Sequence, residues 1–280
     1  MAHLPINNNP TLELNMEAMT KDTPGSYEEF NSRYIQMLEN LLYLEKNKQD
    51  TINEGYNGRG LEMTFTQLKG KVKTGDFSGL HLYDYIDFTT TYGEKVRAEI
   101  MGFNTMFNVG SMAIRRPHIL LQTSDCLFDT RRYNSTATNS GGFDSSELKA
   151  SMDTILSTFP EDLRRSITQC SRYESIKGSQ LWFTRKLFLP TETEVFGYPC
   201  KSEKRYCAAG SQWEGYQKST KRVVKGEGFG TSESGTVSSW WLSSPVEENQ
   251  SEFCCVTGEG NISVAPANSV RGIAPAFIIG

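Results

Sequence analysis

The stretch Trp240-Trp241-Leu242-Ser243-Ser244-Pro245, followed by Phe253-Cys254-Cys255-Val256 and Gly272-Ile273-Ala274-Pro275-Ala276-Phe277-Ile278-Ile279, decides how the chain reads. It reads as a tryptophan-rich strand, a hairpin and a closing apolar strand. Side chains alternate across a strand, so adjacent tryptophans point to opposite faces. An exposed edge strand cannot keep both rings dry. Trp240 and Trp241 therefore require cover on both sides, inside a packed domain. The 24 glycines, with plentiful Asn, Ser and Thr, supply turns for a β-rich body. The predicted fold class is α+β, rich in β.

At 280 residues the chain can hold one large core or two modest domains. Its net charge of −4, from 29 basic and 33 acidic residues, gives no global pull towards nucleic acid or an anionic membrane. The pairs Arg115-Arg116, Arg131-Arg132 and Arg164-Arg165 are scattered and read as solvated surface. No run approaches a membrane span. The opening MAHLPINNNPTLELNM has no basic start and no apolar core, so no secretory signal is predicted. A protein made and kept in a cytosol until lysis is expected. Cys126, Cys170, Cys200, Cys207, Cys254 and Cys255 then read mostly as buried thiols. Cys200 and Cys207 flank a charged loop, and a bridge between them stays open.

Four regions are predicted. Residues 1–25, broken by Pro5, Pro10 and Pro24, read as an extended docking arm. Residues 26–54 read as a helix capped by Ser26 with Glu29 three residues on. Tyr27, Phe30, Tyr34, Met37, Leu41 and Leu44 fall at alternating steps of three and four, the rhythm of a coiled-coil seam. After a glycine joint at Gly55–Gly60, residues 61–116 read as a small β-rich domain. Its strands are expected at 61–68, 71–72, 83–88 and 97–107, and 118–121 follows beyond it. Residues 117–280 read as the main domain. There Ser145 or Ser146 caps a helix to about Phe159, and Pro160 opens a second through 169. Residues 181–189 read as a strand, Thr193–Phe196 as a short turn, and 198–236 as a long polar loop region.

No catalytic motif is present: there is no phosphate-cradling loop and no nucleophile elbow. Lys225-Gly226-Glu227-Gly228-Phe229-Gly230 has alternating glycines but no strand leading into it. His3, His81 and His118 lack metal-ligand spacing, and no metal or cofactor is predicted. The alternation Thr191-Glu192-Thr193-Glu194 reads as the solvent face of a strand. The remaining signal is aromatic. Tyr206, Trp213, Tyr216 and Phe229 stand among Ser, Gly, Lys and Glu, a composition suited to a recognition surface. They are the candidate ligand-binding residues.

Several motifs in order carry a resemblance. They are the stretch Asn134 to Leu148, the segment Leu181-Trp182 to Leu189-Pro190 and on to Val195-Phe196-Gly197, then Trp240–Pro245 and Gly272–Phe277. From about Pro117 to Gly280 the chain resembles a domain family of gut bacteria and their phages, which closes with WWLRSP-like and GVRPAF-like strands. Trp240, Trp241, Pro245, Phe253, Gly272, Pro275 and Phe277 are its core signature here. The resemblance implies a C-type-lectin-like fold that tolerates variable binding loops, similar to some phage tail-fibre tips. Formylglycine-generating enzymes share a related fold. The family arginines are replaced by Ser243 and Ala274, and the calcium-lectin sugar tripeptides are absent.

Arm, helix and joint before a β-rich body are similar to the attachment region of phage tail or baseplate fibres. The expectation is a non-enzymatic virion component, trimeric through its helix. It would dock to other tail proteins by its arm and bind a bacterial surface glycan or protein, without nucleic acid or membrane insertion. The alternatives are a purely structural baseplate, neck or capsid-decorating protein, and an enzyme of the formylglycine-generating or glycan-hydrolase type.

Overall fold

The computed structural model describes residues 58–110, 113–127, 131–176, 179–203, 211–225 and 237–280. All fall in one unit, Asn57–Gly280. The arm 1–25 and the helix 26–54, with its seam from Tyr27 to Leu44, lie outside the described residues. The elements, in order, are α1 (Phe65–Lys73), β1 (Tyr85–Thr89), β2 (Lys95–Phe103), β3 (Ile119–Thr123), α2 (Glu147–Thr158), α3 (Glu161–Ser166), β4 (Ile167–Thr168), β5 (Cys170–Ile176), β6 (Ser179–Arg185), β7 (Leu187–Phe188) and α4 (Glu192–Phe196). Two 3-10 turns follow, Glu214–Gln217 and Ser219–Arg222. Then come β8 (Val224–Lys225), β9 (Val237–Ser238), β10 (Trp240–Pro245), β11 (Glu252–Val256), β12 (Ile262–Pro266) and β13 (Ala276–Ile279). The class is mixed and β-rich, with few helices.

The closing strand β13 lies in the middle of the main sheet, whose order is β1-β2-β3-β13-β4, with β7 also on β13. Every pairing in it is antiparallel. A fully apolar run such as Ala276-Phe277-Ile278-Ile279 suits a strand covered on both faces, and all four residues are buried. One side of the sheet carries a line of rings, each in edge contact with the next: Phe65, Phe88, Phe159 and Phe277. They tie α1, β1, the end of α2 and β13 into one core.

Two expectations are corrected. Residues 61–116 are not a separate β-rich domain. β2 pairs with β3 from Ala98↔Thr123 to Phe103↔Ile119, so both sides of the Arg116-Pro117 boundary share one sheet. Where strands are expected at 61–68 and 71–72, the chain forms the helix α1 over Phe65–Lys73, capped by Thr64. Thr64 Oγ1 accepts from Gln67 N, and Gln67 Oε1 accepts from Thr64 N, a complete capping box. Asp162 accepts from the backbone N–H groups of Phe65 and Thr66 and from the Thr66 hydroxyl, which occupies further helix-start donors. Phe65, Leu68 and Val72 then fall on one buried face. In α2, Ser146 is the cap, and α3 ends at Ser166 because Ile167 and Thr168 join β13.

A second sheet, β10-β11-β12, carries the paired tryptophans, with Trp240↔Val256 and Trp241↔Cys255. Both rings are fully buried, on opposite sides. Trp241 meets Tyr133 edge-on, and Tyr133 stacks on Phe253 at 3.6 Å. Trp240 lies near-parallel to Tyr216, which stacks on Trp213. Each indole N–H finds a carbonyl: Trp240 donates to Arg222 O and Trp241 to Arg131 O.

Candidate functional site

β2 alternates by sequence: Val96, Ala98 and Ile100 are buried on one face, and Arg97 and Glu99 lie on the other. Across the sheet, Glu99 pairs in register with Tyr85 on β1 and Gln122 on β3. Arg97 stacks over Tyr85 at 3.6 Å and makes two hydrogen bonds to Asp87, at 2.9 and 3.1 Å. The two 3-10 turns roof part of this face. Gly215 permits the approach, since a Cβ there would come within 2.7 Å of Met101 Cε. Glu214 accepts from Phe103 N, and the Tyr216 hydroxyl donates to Gln122 Oε1 at 2.6 Å. Gln122 in turn donates to Ala274 O.

A cleft of about 370 Å³ remains between the second turn and the sheet. Arg97, Glu99, Asp125, Lys221, Val223 and Val224 are among the residues that line it. Glu99 is nearly buried, and its Oε2 accepts from Lys221 Nζ at 2.6 Å. Its other oxygen has no hydrogen-bond partner among the described residues. Lys221 Nζ also lies 4.5 Å from the centre of the Tyr83 ring, a cation–π contact. Burial pushes the Glu99 carboxyl above its ordinary value; Lys221 and Arg97 oppose the rise, and Asp125 adds to it.

Tyr83 floors this pair and has φ of 73°, left-handed backbone that a bulky residue rarely adopts. Such strain costs about 1–3 kcal/mol and persists only where the surroundings hold it. Here Tyr83 N donates to Ile100 O, and its hydroxyl donates to Gly215 O. Gly58 packs against its carbonyl so closely that a Cβ would lie 1.7 Å from Tyr83 O. Burial, with Glu99 and Glu214 nearby, pushes the Tyr83 phenol up to about 12.

The Thr-Glu-Thr-Glu stretch is a further correction. It is the helix α4, with both carboxylates buried. Glu192 accepts from the backbone N–H groups of Cys200, Lys201 and Ser202 and from the Ser202 hydroxyl. Glu194 grips Arg172 with two bonds and accepts from Thr191 N. The spacing Thr191-x-x-Glu194, a capping box, is the signal that marks the helix.

The expected display of Trp213 and Tyr216 on a surface loop is corrected too, although Tyr216 still lines the cleft. Trp213 and Tyr216 are 0% and 1% exposed and form the stack under Trp240, because the 3-10 turn lays them against β2 and β7. Tyr206 and Phe229 lie outside the described residues, as does Cys207. Ala274 O accepts from Gln122, and Ser243 is buried on β10; these are the two positions where the resemblance implies an arginine. Glu99 escaped the sequence reading because a charged residue at every second strand position ordinarily marks a solvent face, and Lys221 because it stands among the polar residues of the expected loop region 198–236.

Among the described residues, no group of three or more His, Cys, Asp or Glu residues is placed to hold a metal, and no helix is long and apolar enough to cross a membrane. Burial pushes the Cys126 and Cys255 thiols up, Cys170 to about 12, and Cys254 well above its ordinary value.

Burial also raises Glu174, against Arg185. A raised carboxyl means that the folded chain binds more protons than the unfolded one just above the ordinary 4.5. In that window the contribution of Glu99 and Glu174 to stability falls as pH rises. Urea midpoints measured upward from pH 4.5 should therefore fall less steeply, or rise more, in Glu99→Gln than in the parent chain. Identical slopes would contradict the burial of this carboxylate.

A family model described as a domain of unknown function (DUF6273) matches residues 116–280. No curated protein and no solved structure matches the chain. Lys221, Gln122 and Tyr216 lie within the matched span, whereas Tyr83, Arg97 and Glu99 precede it. The cleft is thus assembled from both parts of the sequence.

Proposed function

The chain belongs to the domain family DUF6273, and on that premise we propose that it is a recognition protein whose ligand sits in the Glu99–Lys221 cleft. The observation that carries this reading is the pair of buried Glu99 with half-buried Lys221 at the cleft, with one carboxylate oxygen left without a partner among the described residues. Convergent polar groups in a concave site are the usual mark of a binding seat.

The proposed biological setting rests on the resemblance of residues 117–280 and on the arm–helix–joint pattern before them. The body is a C-type-lectin-like domain at the end of a phage tail or baseplate fibre-like protein, and its ligand is a bacterial surface glycan or protein. The arm docks on other particle proteins, and the helix 26–54 makes a trimer. Three copies of a weak site then act together by avidity.

Two experiments test this. Labelled full-length chain should be retained on at least one bacterial surface polysaccharide or intact gut bacterium, and Thr220→Trp, which fills the cleft mouth, should abolish retention. Retention unchanged in that variant would remove the cleft as the seat. By light scattering, the full chain should be a trimer, and a version starting at Asn57 a monomer. A full-length monomer would contradict the seam.

A further inference from the structure

We infer that the cleft selects an uncharged pyranose through two adjacent hydroxyls, one donating to Glu99 and the other accepting from Lys221. This rests on the recognition reading above and names its ligand class.

The charges around the cleft balance. Arg97 and Lys221 stand against Glu99 and Asp125 around the same space. Arg97 is held by Asp87 with two hydrogen bonds and Lys221 by Glu99. Such a lining offers no net attraction to an anion or a cation. It suits a neutral ligand that carries many hydroxyls.

The pair also has unused bonding capacity. Glu99 spends one oxygen on Lys221. Its ionised carboxylate can only accept, so the second oxygen calls for a donor. Lys221 has three N–H groups; one goes to Glu99, and the ammonium rests over the Tyr83 ring. It can still donate. An acceptor and a donor side by side at 2.6 Å match two neighbouring ring hydroxyls, each of which both donates and accepts.

Size and wall chemistry point the same way. About 370 Å³ is at the small end of ligand sites, room for one sugar ring rather than a chain. Met101, Val223 and Val224 give the same space an apolar side, and the C–H face of a pyranose can pack there. Tyr83 positions the pair: its strained backbone and its bond to Gly215 fix the ring on which the Lys221 ammonium rests.

The test is saturation-transfer NMR on the full chain with the methyl glycosides of glucose, galactose, mannose and N-acetylglucosamine. Methyl glucuronide and the methyl glycoside of glucosamine serve as charged comparators. The expected result is transfer to at least one neutral glycoside. Affinity should drop by about tenfold or more for its deoxy analogue lacking one of the paired hydroxyls, because a site group is then left unpaired. Glu99→Gln should weaken binding similarly. Thr220→Trp, which leaves the charged pair untouched, should abolish it and serves as a check should Glu99→Gln fold poorly.

Binding that survives both variants overturns the assignment of this cleft. Preference for a charged comparator overturns the neutral class. If no glycoside binds while bacteria or their polysaccharides still retain the parent chain and not Thr220→Trp, the sugar-diol class falls and the recognition reading stands. If nothing is retained at all, the recognition reading itself falls, and the ligand class with it.

Discussion

A chain that begins at Pro117 is expected not to fold. That start matches the family span closely and would be the natural cut to make from the sequence. It removes β1, β2 and α1. β3, whose five residues are all buried, then loses its partner on one edge. An unpaired apolar edge invites aggregation. The cut also removes Phe65, Ile86, Phe88, Val96 and Ile100 from the core. Each such side chain contributes roughly 1.5–3 kcal/mol on burial. Their sum is comparable to the whole stability of a typical domain, about 5–15 kcal/mol. A version beginning at Asn57 should unfold cooperatively on heating, and the version beginning at Pro117 should show no transition. A cooperative transition in the shorter version would restore the boundary expected from the sequence.

Arg172→Met is expected to cost about 3–5 kcal/mol, the usual result of stranding a buried charge. Arg172 and Glu194 are both almost fully buried and joined by two hydrogen bonds. The guanidinium also lies 4.4 Å from the Phe188 ring centre. Without it, Glu194 retains only its bond from Thr191 N at the start of α4. The double variant Arg172→Met with Glu194→Gln removes the stranded charge and keeps an acceptor for the helix cap. It should recover a substantial part of the loss. Chemical denaturation of the two variants and the parent closes the comparison. A double variant less stable than Arg172→Met would mean that the pair is not the source of the effect.

Both expectations turn on features that the sequence discloses unevenly. The tryptophan pair was legible because period-two geometry leaves adjacent rings no other arrangement, and Trp240 and Trp241 do lie on opposite sides. Ser146 was legible because capping is local. The shared sheet was not, since nothing within β2 names β3 as its partner; strand pairing is a long-range choice. α1 was misread because Phe65 and Val72 have strand preferences, while its helix start depends partly on Asp162, about a hundred residues away. Trp213 and Tyr216 were misread for a related reason. Their polar neighbours suggested display, yet a single 3-10 turn folds both rings inward. Glu99, Glu192 and Glu194 show the converse: a carboxylate looks solvated in sequence until its donors are brought to it by the fold.

The most direct test of the cleft as ligand seat is amide NMR of the full chain, titrated with a bacterial surface polysaccharide that it retains. Shifts concentrated at Glu99, Gln122 and Lys221, and absent in Thr220→Trp, are the predicted result. Shifts concentrated instead around the exposed Phe107 and Trp182, with Glu99 and Lys221 unmoved, would contradict the account.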